Sequence, residues 1–315
     1  MIHKKQLVYS MVNTTVRRFS TISDFHHYRG LPAPQHPLIS VIDLSSVQHF
    51  SADEVSMVKD FYSIALKRNF NVKMKYGQQE YDFDEGIMFF MAPGQVFRLQ
   101  VEKDSTVQQS GWMLLIHPDF LWNTALAASI QRYEYFTYAV HEALFLSDKE
   151  ELALVSIIQQ IAHELQSGID GFSQSIVISL LEVLFNYSDR FYHRQFITRK
   201  ISSHQVLQQL ERLLTDYFNN DELVQKGLPT VQYVADSLHM SPNYLSSMLK
   251  LLTGQTTQQH IHDRLIEKAK EKLSITSLTV SEIAYDLGFE HPQSFSKFFK
   301  IKTSYSPLQF RQSFN

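Results

Sequence analysis

Apolar positions along the chain change their spacing twice. From about residue 37 to 117 they fall in short β-branched or aromatic runs: LISVIDLS (38–45), FNVKMKYG (70–77), QEYDFDEG (79–86), IMFFMAPG (87–94) and WMLLIHP (112–118). Asp84-Glu85-Gly86 and Pro93-Gly94 punctuate them as turns. Short strands spaced this closely predict a small barrel or sandwich.

Beyond Pro118 the spacing becomes helical, over about 119–192. Ser147 caps a helix from Asp148 to Gln166 whose Leu154, Ile158, Ile161 and Leu165 share one face. A second helix, Ser173 to Tyr192, places Val177, Leu180, Leu181, Leu184 and Ser188 at the same spacing. The turn between them, Gly168 to Gly171, is short, so the pair is expected to run antiparallel. Such a hairpin packs on its own barrel or presents a face to a second subunit, and we expect a homodimer. Residues 189–203 lose the spacing and gain basic residues, which places a linker at 193–203 between units at 1–192 and 204–315. From Ser203 onward the pattern is helical, with Leu207, Leu210, Leu214, Tyr217 and Phe218 in one stripe.

The last hundred residues contain a duplication. Val231, Val234, Ala235 and Leu238 recur as Val280, Ile283, Ala284 and Leu287, while Leu245, Met248, Leu249 and Lys250 recur as Phe295, Phe298, Phe299 and Lys300. Each copy reads as a short helix, a tight turn and a second helix. Thr230 caps the first opening helix, His239-Met240 turns the chain, and Ser241 with Pro242 starts the next helix. In the second copy Thr279 and Glu282 fit a capping box, and Gly288-Phe289 makes the turn. A small residue on the first helix and a turn shortly after it describe a helix-turn-helix. Its predicted core is Val231, Ala235, Leu238 and Leu245 in one copy and Ile283, Ala284, Leu287, Phe295 and Phe299 in the other.

Composition narrows the chemistry. The 315 residues contain no Cys, which excludes a disulfide framework, thiolate metal sites and a cysteine nucleophile, and fits a reducing compartment. No signal-peptide core and no apolar run long enough to span a membrane occur, so a cytoplasmic protein is expected. Residues 1–189 hold 14 Lys+Arg against 21 Asp+Glu, whereas residues 190–315 hold 15 against 11. After Glu290 there is no acid, while Lys297, Lys300, Lys302 and Arg311 follow, so the rear unit suits a polyanion. His117 is the only histidine on the strand runs and His26-His27 lie outside them, so no metal site or cofactor is expected and the histidines read as packed or solvated. No phosphate loop or nucleophile elbow occurs, and no enzymatic activity is expected.

Leu207 to Phe314 resembles the DNA-binding domain of the AraC/XylS family of bacterial transcription regulators. The residues that carry the resemblance are YLSSMLKLLTG (244–254), Arg264, Ala269 and Leu273, then EIAYDLGFE (282–290), SFSKFFK (294–300) and SPLQFR (306–311). Two departures stand out. Ser304 occupies the place near the end of the second repeat where the family usually has Gly, and Ser246, Ser247 and Leu251 occupy the first recognition helix where basic residues are common. The front two-thirds resembles the cupin-like sensor domain of many such regulators, with YDFDEGIMFFMAPGQ (81–95) in the barrel. The implied fold is α+β and multidomain: a cupin-like β-barrel with a helical hairpin, then an all-α domain with two helix-turn-helix motifs.

The resemblance implies a promoter-binding regulator of double-stranded DNA, with a small-molecule effector of unknown identity in the barrel and RNA polymerase as a further partner. By position it makes Asn243, Ser246, Ser247 and Lys250 of the first copy, and Gln293, Ser296, Lys297 and Lys300 of the second, the DNA-contacting set. Asn and Gln pair bidentately with adenine and Lys reaches guanine. A connecting helix over Gln258–Leu273 is expected to hold the two recognition helices about one DNA turn apart. Two alternatives remain open: a cupin-type metal- or sugar-processing protein tethered to DNA, and a regulator without an effector.

Overall fold

The computed structural model describes residues 16–47, 55–68, 74–76, 79–81, 86–99, 110–139, 142–167, 170–198, 200–219, 223 and 226–313. The chain forms two compact units, Met1–Phe191 and Tyr192–Asn315. Among the described residues no helix is long and apolar enough to cross a membrane.

The first unit is built on β1 (Val16–Phe19), α1 (Ile22–Tyr28), β2 (Ile39–Asp43), β3 (Val55–Lys59), β4 (Tyr62–Arg68), β5 (Met74–Tyr76), β6 (Gln79–Tyr81), β7 (Gly86–Met91), β8 (Val96–Leu99), β9 (Ser110–Ile116), α2 (Ala125–Ser129) and β10 (Leu144–Leu146). The larger sheet runs β10-β7-β4-β9-β2, antiparallel throughout. The smaller runs β1-β3-β8 with β1 parallel to β3, and β5-β6 stands as a hairpin. Among the described residues these ladders stay open and do not close into a barrel. Phe19, Phe25, Ile42, Met57, Phe61 and Leu115 form one core cluster drawn from both sheets and α1.

Register shows which side of each strand meets the core. Ser63, Ala65 and Lys67 of β4 pair with Met91, Phe89 and Ile87 of β7, and Ala65 pairs with Met113 of β9. Side chains alternate across a strand, so these residues share one face of the sheet. Gly111, at φ 117, leaves no room for a side chain, since a Cβ there would press on the backbone of Leu66.

Two expected strands, 70–77 and 79–86, lie partly outside the described residues, as do the expected turns at Asp84-Glu85 and Gly168–Gly171. Five strands went unread: β1, β3, β4, β8 and β10. The helices α3 (Asp148–Gln166) and α4 (Ser173–Thr198) follow, α3 opening at the expected cap Ser147, which forms a capping box with Glu150, and packing against β2, β9 and β10.

Helices cover most of the expected linker at 193–203. α4 continues to Thr198 and α5 covers Lys200–Asn219. The stripe of Leu184 and Ser188 is carried on by buried Phe191, Tyr192, Gln195 and Phe196, whose aromatic and amide character hid the spacing.

Candidate nucleic-acid interface

The second unit continues with α6 (Val231–Ser237), α7 (Pro242–Thr253), α8 (Thr257–Ile275), α9 (Val280–Asp286), α10 (Pro292–Thr303) and α11 (Pro307–Gln312). Each opening helix begins at a threonine: Thr230 Oγ1 accepts from the Tyr233 amide, and Thr279 forms a capping box with Glu282. That box holds the Glu282 carboxyl below its ordinary pKa, chiefly through the Thr279 backbone amide. Both turns use a left-handed residue, His239 at φ 57 and Gly288 at φ 78. The next amide then returns to the alanine of the opening helix: Met240 to the Ala235 carbonyl at 2.9 Å and Phe289 to that of Ala284 at 3.0 Å. An alanine at that place lets the two helices approach closely.

α7 and α10 both start with proline, whose missing N–H costs nothing at that position. Ser241 caps α7 through its side chain, while His291 leads into α10 without a side-chain cap bond. Ala235, Leu245, Ile283, Ala284, Leu287, Phe295 and Phe299 are buried as expected, and Val231 and Leu238 are half-buried. Phe298 is half-buried with its ring against His262 and Phe289.

Burial of Leu245, Met248 and Leu249 turns the opposite side of α7 outward. Asn243 and Lys250 are exposed there, and Ser247 is half-buried. On α10 Gln293, Lys297 and Lys300 are exposed and Ser296 is half-buried. Ser246 has a partner outside α7. Its hydroxyl lies 2.9 Å from Oγ1 of the fully buried Thr257, so it is tied to the start of α8 on the flank of α7. Spacing alone could not reveal this, because the partner comes from another helix.

The basic residues fall into two groups. On α8, Arg264 bonds Glu267 and Thr215, Lys268 bonds Asn219 and Glu271, and Lys272 pairs with Asp286 at 3.0 Å. Arg311 donates to the Leu273 carbonyl that would otherwise be left open at the end of α8. These cations hold the domain together. Lys250, Lys297 and Lys300 make no ion pair among the described residues and point their charge outward. At 19 residues α8 spans about 28 Å between the two modules.

The sequence profile of a helix-turn-helix domain matches residues 234–313. The chain is 38% identical over 85 residues to the HTH-type transcriptional regulator in the cgkA 5′ region of Pseudoalteromonas carrageenovora, covering 27% of this chain and 50% of that protein. It is 33% identical over 106 residues to the HTH-type transcriptional activator RhaS of Enterobacter sp. (strain 638), covering 34% of this chain and 36% of that protein. Residues 234–313 form an AraC-type helix-turn-helix domain.

Among solved structures, the chain is similar to the C-terminal domain of AraT, a response regulator from Geobacillus stearothermophilus, at 30% identity and a TM-score of 0.30, covering 34% of this chain and 84% of that one. The chain spans half or less of the length of the curated relatives it matches. All eight expected contact residues lie on α7 and α10.

His26 is buried, with Nδ1 2.6 Å from the Pro32 carbonyl and Nε2 3.0 Å from Ser40 Oγ. Nδ1 of His117 lies 3.3 Å from the Asp119 amide.

Proposed function

We propose that this chain is a sequence-specific DNA-binding transcription regulator that carries no reaction of its own. The observation that carries the reading is the repeated polar face: Asn243, Ser247 and Lys250 on α7 match Gln293, Lys297 and Lys300 on α10, each opposite a buried core. Unpaired lysines supply phosphate attraction through counterion release, and the amides supply base-edge contacts in the major groove. Ser296 lies beside that face, and Ser246 serves it indirectly by anchoring α7 to α8.

The first unit is read as a cupin-like sensor with a small-molecule effector, its two facing sheets standing for the barrel. A homodimer is supported by the exposed Phe172, Ile176, Val183 and Tyr187, apolar residues spaced by four, seven and four along one side of the chain, as in a helix–helix seam. RNA polymerase and the site of action in the cell follow from this reading.

The test is selection of duplexes from a random pool by the full chain, followed by anisotropy titration at several salt concentrations. A selected duplex should bind at least about a thousandfold more tightly than a scrambled one, with affinity falling steeply with salt. Equal affinity for both duplexes contradicts the reading.

A further inference from the structure

A cavity of about 200 Å³ opens along the free edge of β2, and all five residues of that strand, Ile39–Asp43, line it. One wall comes from α1 and residues 31–35, the other from Ala162, Leu165 and Gln166 in the last turns of α3. Between the sheets, where Lys59 and Lys67 are buried, the space is about 40 Å³. The wall at residues 31–35 is fixed from within by His26, which is 6% exposed. Its Nδ1 lies 2.6 Å from the Pro32 carbonyl, which can only accept, so Nδ1 carries the proton and donates. Nε2 then accepts from the Ser40 hydroxyl at 3.0 Å and ties the wall to the strand.

β2 is the last strand of its sheet and pairs with β9 alone among the described strands. The His117 amide donates to the Leu38 carbonyl at 2.8 Å. In an antiparallel ladder that bond sets residues 38, 40 and 42 toward β9 and turns the N–H and C=O of residues 39, 41 and 43 to the free edge. Ile39 forms a bridge with His36 there, and the Asp43 carbonyl accepts from Ser46 Oγ. Between these two closed ends stand the amide and carbonyl of Val41, turned to the cavity and away from the β9 ladder. Asp43 is the one acidic side chain lining the cavity, and no Lys or Arg lines it. Its Oδ1 takes the Ser45 amide and hydroxyl, which leaves Oδ2 open among the described residues.

We infer that this cavity binds a short free peptide, one residue of which pairs with Val41 as an added strand while its terminal ammonium meets Asp43. An extended peptide carries an N–H and a C=O side by side, the pattern that satisfies both groups of Val41. Its side chains rest on Leu31, Pro32, Pro34 and Leu165. From Val41 to Asp43 the strand advances two residues, about 7 Å, so a dipeptide spans the distance between the open backbone groups and the carboxylate. This rests on the reading of the first unit as a sensor; it places the effector at the sheet edge and names its chemical class.

The test is thermal melting and calorimetric titration of the full chain with alanyl-leucinamide. Its N-acetyl form, which lacks the ammonium, and isoamylamine, which lacks the amides, are run beside it. The melting temperature should rise with the logarithm of alanyl-leucinamide concentration. The acetylated form should bind about tenfold more weakly, and isoamylamine should leave the melt unchanged. Asp43→Asn keeps the cap on Ser45, since Asn caps as well as Asp, and should weaken the dipeptide about tenfold. Val41→Pro removes the outward N–H at a place where an edge strand tolerates proline, and should weaken it by a similar factor. The inference is overturned if alanyl-leucinamide does not bind, if the three compounds act alike, or if Asp43→Asn binds as the wild type does. Selected duplexes are titrated with the same samples: DNA binding without dipeptide binding removes only this inference, and the converse removes only the regulator reading.

Discussion

Gly254 and Ser304 end the two recognition helices in the same left-handed backbone, at φ 78 and 67, and each amide returns 2.9 Å to the carbonyl of the lysine four residues before it, Lys250 or Lys300. The first copy meets this conformation with the residue suited to it, and the second meets it with a side chain that crowds the backbone.

Ser304→Gly should therefore stabilise the C-terminal unit by about 1 kcal/mol, and Gly254→Ser should destabilise it by a similar amount. Chemical denaturation of both variants decides this. Equal stabilities across the pair would mean that the helix ends are not under backbone control.

The turns repeat the contrast with opposite assignments. A Cβ on Gly288 would lie 2.9 Å from the Leu223 carbonyl oxygen and 3.0 Å from the Gly227 Cα, in addition to the cost of φ 78. Gly288→Ala should cost more than about 2 kcal/mol, while His239→Gly, at φ 57 with an exposed side chain, should be neutral or stabilising. Melting temperatures of the two variants provide the check, and a tolerant Gly288→Ala would contradict the described packing.

Readout should be unequal between the modules. Gln293→Ala with Lys297→Ala removes two long exposed groups, and a lost base contact costs about 1–3 kcal/mol of discrimination. Ser246→Ala with Ser247→Ala removes short hydroxyls, one of them already tied to Thr257. In a competitive gel shift the first pair should lose at least about tenfold more specific affinity. The serine pair should act mainly on stability, visible in the melt and not in the competition. The reverse ranking would make α10 a phosphate clamp.

The buried lysines give the first unit a distinctive pH response. In the unfolded chain both titrate near 10.5, whereas in the fold burial holds them down to about 7, so the unfolded state carries more protons between these values. Stability should then rise as pH increases from about 7 toward 10.5, with the penalty fully present below 7. From pH 7 to 9 the wild type should gain at least about 1 kcal/mol relative to Lys59→Met with Lys67→Met. Arg29 acts on both ammoniums as a like charge, and Lys59 acts on Lys67. Parallel pH profiles for the two proteins would show that the lysines reach water.

These same lysines explain what the sequence concealed. The C-terminal unit was legible because its signals are local and come twice: threonine caps, prolines at the first helical position, an alanine and a turn residue at matched places. β3 and β4 were not, because Lys59, Ser63 and Lys67 stand on the inner face where apolar residues are expected. Local rules fail where a site places charge inside. The helix across 193–198 was hidden for a different reason, its buried positions being filled by Phe191, Tyr192, Gln195 and Phe196 among basic neighbours. Ser246 shows a third limit: its position on α7 was readable, its bond to a residue on another helix was not.

The central claim is that one chain reads DNA through two recognition helices. Guanine and adenine methylation interference on a selected duplex tests it most directly. The account predicts two clusters of interference about one helical turn apart per chain, near 10 base pairs. Gln293→Ala with Lys297→Ala should erase one cluster, and Asn243→Ala with Lys250→Ala the other. A single cluster, or the loss of both on altering α10 alone, would contradict it.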